Sequence, residues 1–253
     1  MLHRLSQLLG FGSQAERVLV GTHHKCGTVW MKDIFSAVCD RLSLVFYIGE
    51  QRHLPRRYDV FFQDHSRFRF SSLAGAHRGL HLIRDPRDLI ISGVFYHERC
   101  TSERWLTDPA PQFHGRSYQQ TLAGLPSLEE KIRFEMLHCS GSTIRDMLAW
   151  NYGRPQFYEA KYEDLIEDVE LRRFRDIFTF LGYPEDQMDE LLQIAFEGSL
   201  FSGRVNAPPG HVRSGQPRQW QSYFNKPLYR QFLEHFGDAL VRLGYEQNDQ
   251  WCP

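Results

Sequence analysis

The stretch Val18-Leu19-Val20-Gly21-Thr22-His23-His24-Lys25-Cys26-Gly27-Thr28-Val29-Trp30 decides how this chain is read. Its first three residues form an apolar, β-branched run that suits a buried strand. From Thr28 onward, Val29, Trp30, Ile34, Phe35 and Val38 follow a roughly helical spacing. Between the two lie Gly21 and Gly27, two histidines, a lysine and a cysteine. The pattern is strand, tight loop, helix. Such a loop aims backbone N–H groups and a helix N-terminus at one point, which suits a phosphate or sulfate. Lys25 adds a mobile positive charge and Thr28 a hydroxyl donor. The Walker A loop is a different pattern, with its Lys after the second Gly. Here Lys25 precedes Gly27.

Composition narrows the field. With 253 residues, 42% hydrophobic and 14% aromatic, the chain can build a large α/β core. A net charge of −1 forces no basic face, so a nucleic-acid polymer is disfavoured as a partner, whereas one bound nucleotide needs only a few local cations. The five cysteines are Cys26, Cys39, Cys100, Cys139 and Cys252. Their odd number and the lack of a C-x-x-C pair argue against a zinc or disulfide framework and for a reducing compartment. Cys26, beside Lys25 at a helix start, reads as a reactive thiol or a small loop residue. Leu2, Leu5, Leu8 and Leu9 suggest a docked surface helix, and no apolar run matches a signal peptide or membrane span. A cytoplasmic protein with no membrane partner is the expectation.

Strand candidates alternate with helices: 17–22, 44–48, 58–62, 79–83 and 156–160 as strands, with helices at 28–41, 86–97, 167–181 and 227–243. This alternation predicts an α/β fold, a three-layer sandwich with a central, mainly parallel sheet of about five strands. Ligands of such sheets sit at the carboxyl ends of the strands.

Three further stretches stand out. In Arg84-Asp85-Pro86-Arg87-Asp88-Leu89-Ile90-Ile91-Ser92 a strand ends at Arg84 and Pro86 opens a helix. Ser92 lies about two helical turns beyond Arg84. An Arg fork plus a hydroxyl suits a second phosphate. Alternatively, the four charged residues form a surface cluster that caps the helix. Lys161-Tyr162-Glu163-Asp164-Leu165 follows the fifth strand. His211-Val212-Arg213-Ser214-Gly215-Gln216-Pro217-Arg218-Gln219-Trp220 lies in a stretch rich in Gly, Pro and Ser.

Together these motifs resemble the sulfotransferase family over roughly residues 18–245. The loop resembles its T-Y-P-K-S-G-T-T-W element, matching at Thr22, Lys25, Gly27, Thr28 and Trp30 and departing at His23, His24, Cys26 and Val29. Residues 84–92 match its R-[DN]-P-[RK]-D-x-x-x-S element throughout. Residues 161–165 resemble its Y-E-D-L segment. Residues 211–220 resemble its R-K-G-x-x-G-D-W segment, with Ser214, Arg218 and Gln219 departing.

The resemblance implies a single P-loop-NTPase-like sulfotransferase domain over 1–253. Its donor would be 3′-phosphoadenosine 5′-phosphosulfate (PAPS), its product 3′-phosphoadenosine 5′-phosphate (PAP), and no metal would be needed. Lys25, Cys26, Gly27, Thr28, Val29 and Trp30 would hold the 5′-phosphosulfate. Arg84, Ser92 and Arg213 would hold the 3′-phosphate, with Ser214 and Gly215 beside it and Tyr162 on the adenine. Phe196 and Arg204 match more loosely. Segment 198–217 would close over the cofactor, and 98–140, with Trp105, Phe113 and Tyr118, would form a lid over a small-molecule hydroxyl acceptor. Lys25 would stabilise the leaving phosphate, and a histidine would take the acceptor's proton. His65, placed after the third strand where the family has K-T-H, is the first candidate for that base. His24 and His23 come second, His97 could touch the acceptor, and His77 and His81 read as structural. Two other readings are a degenerate nucleotide-binding module and a P-loop kinase-like enzyme. The acceptor and the oligomeric state stay open.

Overall fold

The structure is a computed structural model that describes residues 16–203 and 215–251. The expectations for the N-terminal leucines and for Arg204, Arg213, Ser214 and Cys252 therefore lie outside the described residues. The chain divides into two compact units, one built of residues 16–23, Gly27–Ile83 and 151–203, the other of His24–Cys26, Arg84–Trp150 and 215–251.

The first, the sheet unit, carries five strands: β1 (Arg17–Gly21), β2 (Phe46–Ile48), β3 (Val60–Gln63), β4 (His77–Ile83) and β5 (Phe157–Lys161). They pair in the order β2-β3-β1-β4-β5, and every pairing is parallel. β1 reads as an apolar run, Val18-Leu19-Val20, and in β4 Leu80, Leu82 and Ile83 are buried together with His81. Val18, Val20, Val60, Phe62, Leu80 and Leu82 line one face of the sheet. They pack with Ile34 and Phe35 of α1 (Thr28–Leu42). Residues distant in sequence join the same core through α7 (Tyr162–Ile166), α8 (Arg172–Phe180) and α9 (Met188–Gly198). On the alternate register Phe61 meets Tyr47, Tyr58 and Phe68.

That helical unit holds α2 (Pro86–His97), α3 (Arg104–Thr107), α4 (Tyr118–Ala123), α5 (Leu128–Leu137), α6 (Cys139–Ala149), α10 (Lys226–Phe236) and α11 (Ala239–Arg242). Tyr96, Cys100, Leu106, Tyr118 and Leu122 make one of its apolar clusters.

The fold class is the expected one: a parallel five-stranded sheet flanked by helices. Two helices differ in extent from their sequence patterns. The helix expected at 167–181 starts only at Arg172, because the Asp168 carboxylate accepts the backbone N–H groups of Arg172, Arg173 and Phe174 and fixes the start there. The helix expected at 227–243 is broken into α10 and α11 at Gly237, which has φ 53°.

Candidate active site

The loop after β1 is held by its own hydroxyls. Thr28 Oγ1 donates to the His23 carbonyl at 2.9 Å and lies 3.0 Å from Thr22 Oγ1. Ser66 Oγ donates to the Thr22 carbonyl at 2.8 Å. Two loop residues are left-handed, Lys25 at φ 62° and Gly27 at φ 83°. For Gly27 there is a second constraint: a Cβ would lie 3.1 Å from the Tyr162 ring. Tyr162 also meets Trp30 edge-on, with centroids 5.8 Å apart. The sheet unit thus brings Gly27, Trp30 and Tyr162 together. Val29 is half-buried in the first turn of α1. Phe196 sits on α9 with its ring against Phe201.

The helical unit gathers the charged groups. Arg84, directly after β4, is buried and its Nη1 donates to the Lys25 carbonyl at 3.0 Å. Lys25 Nζ lies 3.4 Å from the centroid of the Tyr96 ring. Burial, then the nearby Arg84 guanidinium, pulls the Lys25 ammonium down from 10.5 to about 8, while Glu103 and Glu135 oppose this. Ser92 is half-buried on α2, and Gly215 is half-buried at the start of the last described segment. Cys26 is fully buried, and its Sγ contacts the His24 carbonyl at 3.7 Å.

The other charges of the second motif are buried and structural; the surface cluster weighed from sequence is not what forms. Asp85 caps α2 by accepting from Arg87 N at 2.9 Å. The Arg87 guanidinium bridges Asp85 and Glu246 and lies on the Trp220 ring, 3.7 Å from its centroid. Asp88 accepts from the backbone of Arg218 and Trp220 at 2.6 and 2.9 Å. Arg87 and Asp88 therefore anchor the C-terminal segment, including the departures from the family pattern around Arg218.

The histidines form two chains. In the sheet unit, His23 Nε2 lies 2.9 Å from His81 Nε2, and His81 Nδ1 lies 2.5 Å from Glu159 Oε2. Burial lowers His81 to about 3, and burial with His81, His65 and Arg67 nearby lowers His23 well below its ordinary value. His23 Nδ1 has no hydrogen-bond partner among the described residues. His65 lies half-buried just past β3, and its backbone N–H donates to Gln63 Oε1 at 2.8 Å. In the helical unit, His24 Nε2 lies 2.7 Å from His97 Nε2, and His97 Nδ1 lies 2.9 Å from Glu135 Oε2.

Glu135 is fully buried on α5. It accepts from Tyr118 Oη at 2.8 Å, Ser140 Oγ at 2.6 Å and Ser140 N at 3.1 Å. Burial alone would push this carboxyl up, but His97, Ser140 and Tyr118 together hold it below the ordinary range. Gly93 on α2 leaves the space: a Cβ there would lie 2.6 Å from Glu135 Oε1. Sequence reasoning missed Glu135. Its signal was position, since it falls with Ile132 and Met136 on the buried stripe of an otherwise charged helix.

His24, His97 and Cys139 also place three metal-ligand atoms within 4.8 Å of one another. The two imidazoles, however, are nearly coplanar, 10° apart, with centroids 5.0 Å and nitrogens 2.7 Å apart. They meet edge to edge, nitrogen to nitrogen, as an N–H···N hydrogen bond does; a shared cation needs both lone pairs aimed at a third point.

Among the described residues, no helix is long and apolar enough to cross a membrane. No curated protein matches the chain. Among solved structures, it is similar to mouse sulfotransferase SULT7A1 complexed with PAP, at 17% identity and TM-score 0.61, over 96% of this chain and 91% of that one. It is also similar to retinol dehydratase in complex with androsterone and the inactive cofactor PAP, at 16% identity and TM-score 0.54, over 91% of this chain and 82% of that one. The family model described as "Sulfotransferase domain" matches residues 15–244, so the chain belongs to the sulfotransferase family.

Proposed function

We propose that this chain transfers the sulfuryl group of PAPS to a hydroxyl, with an amine as second choice, of a small-molecule acceptor. One observation carries the reading. Lys25, half-buried and lowered to about 8, is tied through its own carbonyl to Arg84 in the segment that fits a 3′-phosphate. A lysine so placed, its ammonium poorly solvated, gains most when an anion arrives to pair with it. The residues present fit the donor in two further ways. Gly27 is left-handed and shaped to Tyr162, and Trp30 adjoins the same ring.

PAPS, when bound, supplies the sulfuryl group and a phosphate leaving group. Lys25 neutralises charge developing on that leaving oxygen, and the N–H groups of residues 26–29 share the task. Arg84 and Ser92, with Arg213, Ser214 and Gly215, hold the 3′-phosphate. Tyr162 meets the adenine, and Phe196 lines the same region. A histidine, His65 or His24, takes the acceptor's proton. Residues 1–253 act as one sulfotransferase domain, in which 98–140 covers the acceptor and 198–217 closes on the cofactor.

Calorimetric titration with PAP in EDTA, beside AMP and ATP, tests this. The expected outcome is micromolar PAP binding, with AMP at least about tenfold weaker for want of a 3′-phosphate. Preference for ATP, seen only after magnesium is restored, overturns it in favour of a kinase-like enzyme. PAP binding with no sulfation of any acceptor leaves a nucleotide-binding module.

A further inference from the structure

We propose that His24 is the proton-accepting catalytic residue of this sulfuryl transfer, His97 the station that receives the charge, and Glu135 the positioning carboxylate that holds it there. The inference rests on the sulfotransferase reading and selects among its histidines.

With His97 neutral at rest, as the proposal takes it, the hydrogen-bond chain assigns each proton. Glu135 Oε1 is occupied by the two Ser140 donors, and Oε2 by Tyr118 and His97. An ionised carboxylate only accepts, so His97 carries its proton on Nδ1. The neutral His97 ring then offers a lone pair at Nε2. Across the 2.7 Å contact, His24 Nε2 must be the donor. The basic nitrogen of His24 is therefore Nδ1, on a half-buried ring one residue before Lys25. This is the carboxylate–histidine logic that fixes a tautomer, extended by one imidazole.

The proton balance follows. As the acceptor oxygen bonds to sulfur, the bond from sulfur to the 5′-phosphate oxygen would break, its electron pair leaving on PAP beside Lys25, while the acceptor O–H bond breaks and its proton forms an N–H bond at His24 Nδ1. The proton on His24 Nε2 crosses to His97 Nε2. His24 ends neutral, and the imidazolium rests on His97 against Glu135. The charge thereby moves away from Lys25, which is needed as a cation beside the leaving phosphate.

The groups facing the pair support this. Tyr96 and Trp105 lie against both rings, and Tyr118 against His97. Burial pushes the Tyr96, Tyr118 and Cys139 groups up, so all three stay neutral near neutral pH. Glu135 is then the carboxylate in contact with the pair, Glu103 accepts from the Tyr96 and Trp105 groups packed on it, and Lys25 is the neighbouring positive charge. The other histidine chain does not suit the task, since His23 is 1% exposed.

The test uses the full chain with nitrogen-15-labelled histidines and saturating PAP, read by imidazole proton–nitrogen NMR across pH. The expected result is His97 protonated at Nδ1 and His24 at Nε2. A single proton uptake should then change both rings together, and His97→Asn should leave His24 titrating alone. A His24 ring protonated at Nδ1 in its neutral form, or two independently titrating rings, overturns the proposal. PAPS turnover is then followed by PAP formation over a panel of phenols and alkanols. His24→Ala should lower kcat by roughly 10²–10⁴-fold with PAP affinity unchanged. Glu135→Gln, which keeps the shape where Glu135→Ala could unfold the chain, should move the acid limb of the kcat profile to lower pH. Loss of turnover in His65→Ala with full turnover in His24→Ala overturns the assignment. If no acceptor turns over, the imidazole titration alone decides it. Failure of PAP to bind removes the cofactor reading, a separate outcome.

Discussion

Adjacent histidines, His23 and His24, each begin a chain of the same three groups, yet the chains are opposite in burial. In the sheet unit the histidine end is closed: His23 is 1% exposed, while the side chain of Glu159 is 29% exposed. In the helical unit the carboxylate end is closed, Glu135 being 0% exposed, while His24 is half-buried. Burial penalises the charged form, so the two histidines of the sheet chain stay neutral and the chain works as a brace. It ties β4 to β5, where His81 and Glu159 are direct partners in register, and both to the loop after β1. The helical chain buries its carboxylate completely and leaves the His24 ring half-buried. Under the proposal above, identical groups serve structure or chemistry according to which end meets the outside.

Four measurements sharpen or break this contrast. The largest effect is expected for Glu135→Ala, which strands Tyr118, Ser140 and His97 without their acceptor. It should cost about 3–5 kcal/mol by urea unfolding. Glu159→Ala should cost about 1 kcal/mol, because water can serve its open end. Equal losses would dissolve the comparison. Next, Lys25→Ala should lower kcat by roughly 10²–10³-fold, the scale of losing one preorganised charge partner. Glu159→Gln should leave kcat nearly unchanged, and steady-state kinetics on both variants checks this.

The third effect concerns acid. His81 has its value lowered from 6.5 to about 3, so between these limits the unfolded chain binds a proton that the native one refuses. Its contribution is present above pH 6.5 and is lost as pH falls toward 3. Stability measured across that range should fall less steeply in His81→Asn. The smallest effect is proton uptake. Lys25 is partly neutral above about pH 8, so PAP binding between pH 8 and 10.5 should take up a proton. Calorimetry in two buffers of different ionisation heat should detect it, and Lys25→Ala should abolish it.

Much of the fold could be read along the chain. Val18–Val20 is an apolar run that suits a covered strand, Gly79–Ile83 is one interrupted only by His81, and Pro86 marks the start of α2. Helix ends were harder, since Asp168 overrides a continuous helical pattern and Gly237 interrupts another. Lys25, Gly27, Arg84 and Tyr162 carry local motifs and could be singled out in advance. The histidine chains could not: their contacts span 58, 78, 73 and 38 positions. No periodicity encodes such pairings. Arg87 and Asp88 misled for the same reason, because their partners lie near residues 218–246.

The register of β4 against β5 has a kinetic consequence. His81 and Glu159 stand opposite each other across 78 positions, with Arg84–Trp150 of the helical unit between them. Closing so long a loop is entropically costly, and a parallel pair returns little until it is complete. Helices formed early in Arg84–Trp150 would shorten the effective loop. The β4–β5 pairing should therefore be among the last contacts made during refolding, and His81→Asn should accelerate unfolding far more than it slows folding.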